Sequence, residues 1–412
     1  MTPKRRPSSC WRATRAGTGS ARPACRRPSS SPSRFTATSP ITCISASRSR
    51  SPRRRSGVSS ACSKPRSGRA PAGARPSCSR TTGADVPLPA LPVGWGVIGA
   101  TSQVAQKAVL PAIVASPGAR LVAVASESAD DGGAGCFEPL RVHRAYDAVL
   151  DDPEVEAVYV PLPNSLHREW VVRAAAAGKH VLCEKPLAPT VADAEVMTAA
   201  CEIAAVALCE AYMTPFHPRA AALDTLVASG RLGALRFARA AFTGVLDRRD
   251  DHRWRPEMGG GALLDVGIYC VAPLLAAAGR TPARVEASAT LAKSGVDVSF
   301  SGWLDFGDGF TATIECSFDA PERQFLEIVG TEASLVVDRA YTPGPADTTL
   351  TLRGRDGRVE EIVTGGADPY REMLEHFQTV VRTDAAPRRS CAASITLLGV
   401  LERLRAAAGL AA

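Results

Sequence analysis

Acidic residues are missing from the first fifth of the chain. Residues 1–84 contain no Asp and no Glu, yet they carry 19 of the 49 Lys and Arg residues among Ser, Pro, Gly, Thr and Ala. The other 328 residues hold the remaining 30 basic residues and all 41 acidic ones. The formal net charge of +8 is therefore +19 from a leader and −11 from a body. That split removes the usual inference from a basic chain, because the part rich enough to fold is mildly acidic and predicts no nucleic-acid partner. Long apolar runs are also lacking. No run approaches 18 apolar residues and no secretory core region precedes the body, so the reading is a cytoplasmic protein without a membrane partner.

Paired cysteines and paired histidines are absent too. Five of the twelve Cys residues sit in the leader, and the other seven, Cys183, Cys209, Cys270 and Cys316 among them, lie singly inside apolar runs. No C-x-x-C spacing occurs, which favours small buried hydrophobes in a reducing compartment over disulfides or zinc ligands. The six His residues form no H-x-x-x-H pair, and no metal is expected.

The leader has few large aliphatic residues and no sustained period, so it cannot bury enough surface to offset its chain entropy. Residues 1–87 are read as a disordered Arg/Ser/Pro-rich leader. An upstream start in a GC-rich gene fits as well, since runs such as Ser49–Arg55 look like out-of-frame translation and Val86 would then be the first residue. A transit peptide fits poorly with so long and proline-rich a segment. Arginine contact with phosphate backbones finds no aromatic interleaving to support it.

About 325 residues remain, enough for two domains. Their first half alternates strand and helix. Val93–Ile98, Leu121–Ala125, Val155–Val160, His180–Cys183 and Ala205–Cys209 are short apolar strands, with helix-like stretches at Val104–Val114, Tyr146–Leu150, Trp170–Ala177 and Ala192–Ala200. Continuous β-branched runs with intervening helices indicate a parallel sheet covered on both faces, and right-handed crossovers make it a doubly wound, Rossmann-type nucleotide fold. After Pro218 the pattern changes. Alternation at Leu235–Phe242, Arg284–Leu291, Val298–Phe306, Phe310–Phe318, Gln324–Val329 and Ser334–Val337, with turns such as Gly307-Asp308-Gly309, reads as a hairpin-rich sheet. Two amphipathic helices, Tyr370–Arg382 and Ser394–Ala407, follow. The fold class is α/β, with a cofactor domain at 88–212 and a substrate-binding and oligomerisation domain at 213–412.

The turn after the first strand predicts a cofactor. Gly99 is placed for a tight strand-to-helix turn, Ala100, Thr101, Ser102, Gln103 and Val104 follow, and Ala105 allows the helix to approach the sheet. Amides at that helix start would hold a pyrophosphate. Only one fingerprint glycine is in place, because Thr101 occupies the second position, and an ordinary small-residue turn has the same composition. After the second strand, Glu127 is suited to both ribose hydroxyls of NAD, while Ser126 and Ser128 suit a 2′-phosphate without a following Arg. NAD and NADP both stay open, with a lean to NAD.

Three further segments are more specific: Pro161-Leu162-Pro163-Asn164-Ser165-Leu166-His167, Gly178 to Leu187 with Glu184-Lys185-Pro186, and Arg253-Trp254 followed by Gly259-Gly260-Gly261 and Asp265-Val266-Gly267-Ile268-Tyr269. In this order and spacing the chain resembles the Gfo/Idh/MocA oxidoreductase family, from about Val93 to the C-terminus. The tyrosine at 269 resembles the branch with glucose–fructose oxidoreductase, dimeric dihydrodiol dehydrogenase and NADP-dependent xylose dehydrogenase; nucleotide-sugar 3-ketoreductases share a similar tyrosine.

The resemblance implies a Rossmann domain followed by an α/β domain whose open, mostly antiparallel sheet often makes a dimer or tetramer interface. It also implies hydride transfer to or from a sugar or cyclic polyol, or a nucleotide-linked ketosugar. The hydroxyl must lose its proton as hydride leaves its carbon, and Tyr269 is the candidate acid/base. A free phenol titrates near 10, so Lys185 is expected to supply a positive field and a hydrogen bond to the substrate oxygen. Asp265, one helical turn before Tyr269, is expected to orient substrate or Lys185. Asn164 and His167 are implied beside the nicotinamide ribose, and Pro163, Glu184 and Lys185 beside the cofactor. His217 and Arg253 are read equally as structural or substrate-facing. Each residue alone also suits an ordinary structural place: a core tyrosine, a surface lysine, a helix-capping histidine. A dinucleotide-binding, sugar-responsive regulator is the alternative of another class; the intact Lys185 and Tyr269 argue against it, and the degenerate glycine turn argues for it.

Overall fold

A computed structural model describes residues 91–126 and 134–410. The leader reading and the expectation on Glu127 and Ser128 lie outside the described residues. Six strands form the first sheet: β1 (Val93–Ile98), β2 (Ala119–Ala125), β3 (Arg141–His143), β4 (Ala157–Val160), β5 (His180–Glu184) and β6 (Leu208–Ala211). Their order is β3-β2-β1-β4-β5-β6 with every neighbouring pair parallel. This is the doubly wound order, whose strand ends open on a crevice at the switch between β1 and β4. β1 and β4 are buried along their whole length, as continuous apolar runs require when helices cover both faces.

The helices on this sheet start with residues 103–115, where a widened π-type turn at Ala105–Val109 runs into α1 (Leu110–Ala115). α2 (Asp147–Leu150), α3 (His167–Ala176) and α4 (Val191–Ile203) follow. Thr190 caps α4 by accepting from the Asp193 N–H. Two expectations shift here. The strand expected at Ala205–Cys209 begins only at Leu208, because Ala205 takes a left-handed φ of 52° that closes α4. The three-residue edge strand β3 has no apolar run to announce it.

α5 (Pro218–Ala228) leads to the second sheet: β7 (Leu235–Val245), then α6 (Ile268–Ala278), β8 (Arg284–Leu291), β9 (Asp297–Gly307), β10 (Phe310–Ser317), β11 (Asp319–Gly330), β12 (Ala333–Asp338), β13 (Thr348–Gly354) and β14 (Val359–Thr364). The order is β14-β13-β12-β11-β7-β10-β9-β8, antiparallel except where β7 lies parallel to β10. This is the open, mostly antiparallel sheet expected. β13 and β14 went unread because Thr and Glu dominate them and their outward faces carry little apolar pattern. α5, α6 and α8 (Cys391–Ala407) cover one face, while Phe237 on β7 and Val363 on β14 are exposed large apolar side chains.

α7 (Pro369–Thr383) returns to the first sheet, where Phe377 meets Trp95 of β1 with ring centroids 5.4 Å apart. α8 contacts α4 and β6 as well as β8. The stretch Pro256–Ala278 is long and apolar enough by composition to cross a membrane, but here it packs under the second sheet, with Ile268, Cys270, Val271 and Leu274 buried. Cys183, Cys201, Cys209, Cys270 and Cys316 are free and buried.

Candidate active site

The chain leaves β1 through Gly99 at φ +94°, a conformation costly for any residue with a side chain. A Cβ there would stand 2.7 Å from Leu162 Cδ2. The N–H groups of Gly99 and Ala100 both donate to the Ala125 carbonyl at 2.9 and 3.0 Å, so the turn is stitched to the end of β2. Ser126 Oγ donates to Thr101 Oγ1 at 3.4 Å, a second stitch. Among the described residues, no hydrogen bond is made by the N–H of Gln103 or Val104 at the helix start, and Thr101 and Gln103 are exposed. Free amides above a turn that a Cβ would fill are the features a pyrophosphate needs, so Gly99 through Val104 fit a dinucleotide.

The loop after β4 carries Pro163, Asn164 and His167, and the structure separates their duties. Asn164 Nδ2 donates to the Gly259 carbonyl at 2.7 Å, tying the crevice rim to the glycine triplet. Pro163 is half-buried beside it. His167 does not face the crevice. It is fully buried, with Nε2 2.9 Å from the Leu162 carbonyl and Nδ1 3.1 Å from that of Pro186, and burial lowers its pKa. Its ring braces the loops after β4 and β5 from behind, because both nitrogens are spent on backbone.

Glu184 likewise points inward from the end of β5. It is buried, accepts from the Tyr159 hydroxyl at 2.6 Å and from the Lys185 N–H at 3.2 Å, and burial raises its pKa. Lys185 comes next, ahead of a cis bond to Pro186. Its ammonium donates to the Asp265 carbonyl at 2.7 Å and to Asp265 Oδ1 at 2.8 Å. Asp265 Oδ2 accepts from Arg253 Nε at 2.8 Å. Burial opposes the Asp265 charge, yet the Arg253 guanidinium and then Lys185 outweigh it and hold this carboxyl well below the usual range. Asp265, expected to orient substrate or Lys185, is thus bonded to the Lys185 ammonium, and Arg253 is bound to the Asp265 and Asp251 carboxylates.

Tyr269 departs from its expected setting. The helix widens at Leu263–Gly267, where the Ile268 N–H reaches back to the Leu263 carbonyl, so Asp265 and Tyr269 are not stacked one regular turn apart. The Tyr269 hydroxyl contacts Met213 Sδ at 3.8 Å, and the Lys185 ammonium lies over its ring, 5.0 Å from the centroid. Burial pushes the phenol pKa well above its ordinary value, rather than Lys185 lowering it. Tyr269 is therefore a protonated group, suited to donating. Around it lie Tyr212, Phe242 and Tyr341, with ring centroids 5.2, 5.3 and 6.0 Å away.

Behind this aromatic cluster is a cavity of about 500 Å³. Tyr212, Thr214 and Tyr341 line it, with Ala272 and Ala276 of α6. Those alanines follow Tyr269 by three and seven residues, on the same helical face. His217 is buried and caps α5 by accepting from the Arg219 N–H, a structural role. Two contributors carried no legible signal in the sequence: Tyr341 and Asp297. Asp297 Oδ2 accepts from the Leu263 N–H at 2.7 Å, and burial pushes its carboxyl up to about 6.

A parallel sheet in doubly wound order, a positive-φ glycine turn with free amides, and an ammonium beside a protonated phenol describe a dinucleotide-dependent oxidoreductase. A family model described as an oxidoreductase family with an NAD-binding Rossmann fold matches residues 93–212, and one for the GFO/IDH/MocA C-terminal domain matches residues 220–336. A D-xylose 1-dehydrogenase (NADP+) from Haloferax volcanii is 36% identical over 75% of this chain and 95% of its own. A dTDP-3,4-didehydro-2,6-dideoxy-α-D-glucose 3-reductase from Streptomyces violaceoruber is 36% identical over 70% and 84%. The crystal structure of a 3-ketoreductase from Actinomadura kijaniata in complex with NADP and TDP-benzene superposes with a TM-score of 0.72 at 29% identity, covering 77% of this chain and 98% of that one. The chain belongs to the Gfo/Idh/MocA family, and it is an NAD(P)-binding oxidoreductase.

Proposed function

We propose that the chain transfers a hydride between nicotinamide and a carbinol or carbonyl carbon of a sugar or cyclic polyol, with Tyr269 as acid/base and Lys185 assisting. The observation that carries this reading is the Lys185 ammonium, fixed by Asp265 at the end of β5 and lying over the Tyr269 ring. In this reading residues 88–212 hold the cofactor, NAD or NADP, through Gly99–Val104 and the Asn164 rim, and residues 213–412 hold the substrate and the oligomer contact, a dimer or tetramer. The nicotinamide supplies the hydride acceptor or donor at its C4. The chain's own residues supply the proton path and the binding. Lys185 has a third N–H beyond the two it gives Asp265, and this donates to the substrate oxygen. The Tyr269 hydroxyl gives that oxygen its proton in reduction and takes it back in oxidation.

A ketosugar reductase is the second reading, and the raised Tyr269 pKa favours it, since a phenol held protonated donates better than it accepts. The 36% identity to a dTDP-ketosugar 3-reductase supports the same direction. The test is absorbance at the reduced-nicotinamide band with the full chain. Oxidation of D-xylose, D-glucose and scyllo-inositol with NAD+ and NADP+ is compared with reduction of a dTDP-ketosugar by NADH and NADPH. Turnover of any sugar supports the reading. Tight cofactor binding with no turnover across the panel rejects it in favour of a dinucleotide-binding regulator.

A further inference from the structure

Asp265 is a bridge between two cations, and each of its oxygens serves one of them. Lys185 Nζ donates to Oδ1 and Arg253 Nε donates to Oδ2, both at 2.8 Å. Arg253 is itself held from two sides. Asp251 Oδ1 accepts from the Arg253 N–H at 3.0 Å and from Nη1 at 3.1 Å. The Arg253 carbonyl accepts from the Gly261 N–H at 3.0 Å, and a Cβ on Gly260 would stand 2.4 Å from that carbonyl oxygen. The glycine triplet thus lets the backbone of Arg253 lie against the helix start that carries Asp265.

We propose that Arg253 is a positioning residue: by holding one oxygen of Asp265 it fixes the other against Lys185, and so aims the Lys185 ammonium at the substrate oxygen. This rests on the reading of Lys185 and Tyr269 given above. A carboxylate bound by one cation alone can rotate about its Cβ–Cγ bond, and the Lys185 ammonium, on a flexible four-carbon stem, would then keep only its bond to the Asp265 carbonyl and could swivel about it. Bound at both oxygens the carboxylate cannot rotate, and the lysine keeps one direction for its remaining N–H. The groups around Asp265 point the same way. Lys185 comes from the end of β5, Arg253 and His252 from the 252–254 turn, Tyr269 from α6 and Cys316 from β10. Burial lowers the pKa of His252 and raises those of Tyr269 and Cys316, so the three are neutral near pH 7. Only Arg253 and Lys185 are left to keep Asp265 charged.

Arg253→Met and Arg253→Lys in the full chain test this, with an Asp251→Asn variant as the milder case. Arg253→Met is expected to lower kcat about 100-fold, the cost of a misaimed group, with the sugar KM little changed. The acid limb of the kcat/KM profile should move to higher pH, because Asp265 loses the stronger of its two cations, and Arg253→Lys should restore part of both. A raised sugar KM at unchanged kcat would make Arg253 a substrate ligand and overturn the proposal. Unchanged kcat and an unmoved acid limb would make it a bystander ion pair. The Asp265 carboxyl titration, followed by 13C NMR in wild type and Arg253→Met, reads the clamp without turnover: an upward shift supports it and no shift overturns it. Wild type that turns over no sugar while this shift is seen would sink the functional reading and leave the clamp.

Discussion

Asp265 and Asp297 flank the same short segment and meet opposite electrostatic fates. Two cations bonded to it keep Asp265 charged, while Asp297 has N–H donors such as that of Leu263 and the more distant charge of Arg405, which do not offset its burial. The Asp297 carboxyl sits at about 6 against 3.8 for the exposed group, so between those values the folded chain binds a proton that the unfolded chain releases. Its contribution to stability therefore falls as pH rises from about 4 to about 6, by up to ~3 kcal/mol. Asp297→Asn keeps an oxygen for the Leu263 N–H and should flatten that slope, raising Tm at pH 8 more than at pH 4. Parallel Tm profiles for variant and wild type would show that Asp297 is not the titrating group. Tyr269→Phe tests the other end of the segment. It removes one hydroxyl from a packed aromatic cluster, so the fold and cofactor affinity should persist while kcat drops ~10²- to 10⁴-fold. Retention of more than a tenth of kcat in stopped-flow or steady-state assays would assign proton transfer elsewhere.

At the scale of elements, the glycine triplet shows what a sequence discloses and what it hides. Gly259-Gly260-Gly261 marks a turn by composition alone, and with Lys185, Asp265 and Tyr269 it carried the family resemblance. What it touches is a tertiary fact: Asn164 on one side, Arg253 on the next, and Asp297 on the third, with a Cβ clearance of 2.1 to 2.9 Å at each. Gly260→Ala should push the Arg253 backbone away, costing ~1–3 kcal/mol of stability and lowering kcat beyond what that loss explains. Full activity at a temperature well below Tm would show the contact is not needed. Apolar periodicity placed β8 at its observed ends and five strands of the second sheet within a few residues, because alternation reports a half-buried sheet directly. It missed the edge strands β3 and β14 and β13 beside the latter, which bury few side chains. His167 and Glu184 sit in motifs that point toward a cofactor, yet both turn inward, and only burial and hydrogen-bond partners reveal that. The widened turn at Leu263–Gly267 is invisible to any 3.6-residue count, which is why Asp265 and Tyr269 were expected to stack.

For the whole molecule, the C-terminal helices decide how the two sheets share their stability. α7 places Phe377 on Trp95 at the centre of the first sheet, and α8 touches β6 of one sheet and β8 of the other. A chain that leaves the first sheet, builds the second and returns to the first has no point where one can unfold without stripping the other's cover. We therefore expect a single calorimetric transition for the folded body. A cofactor bound only to the native state adds RT ln(1 + [L]/Kd), about 2.7 kcal/mol at a hundredfold excess over Kd, and several degrees of Tm follow for a body of this size. That whole transition should move when NADPH or NADH is added, although the ligand touches mainly the first sheet. Phe377→Ala removes a fully buried ring at the junction and should cost ~3–5 kcal/mol, lowering Tm throughout. Two separate transitions in wild type, with only one of them shifted by cofactor, would show that α7 and α8 do not couple the sheets.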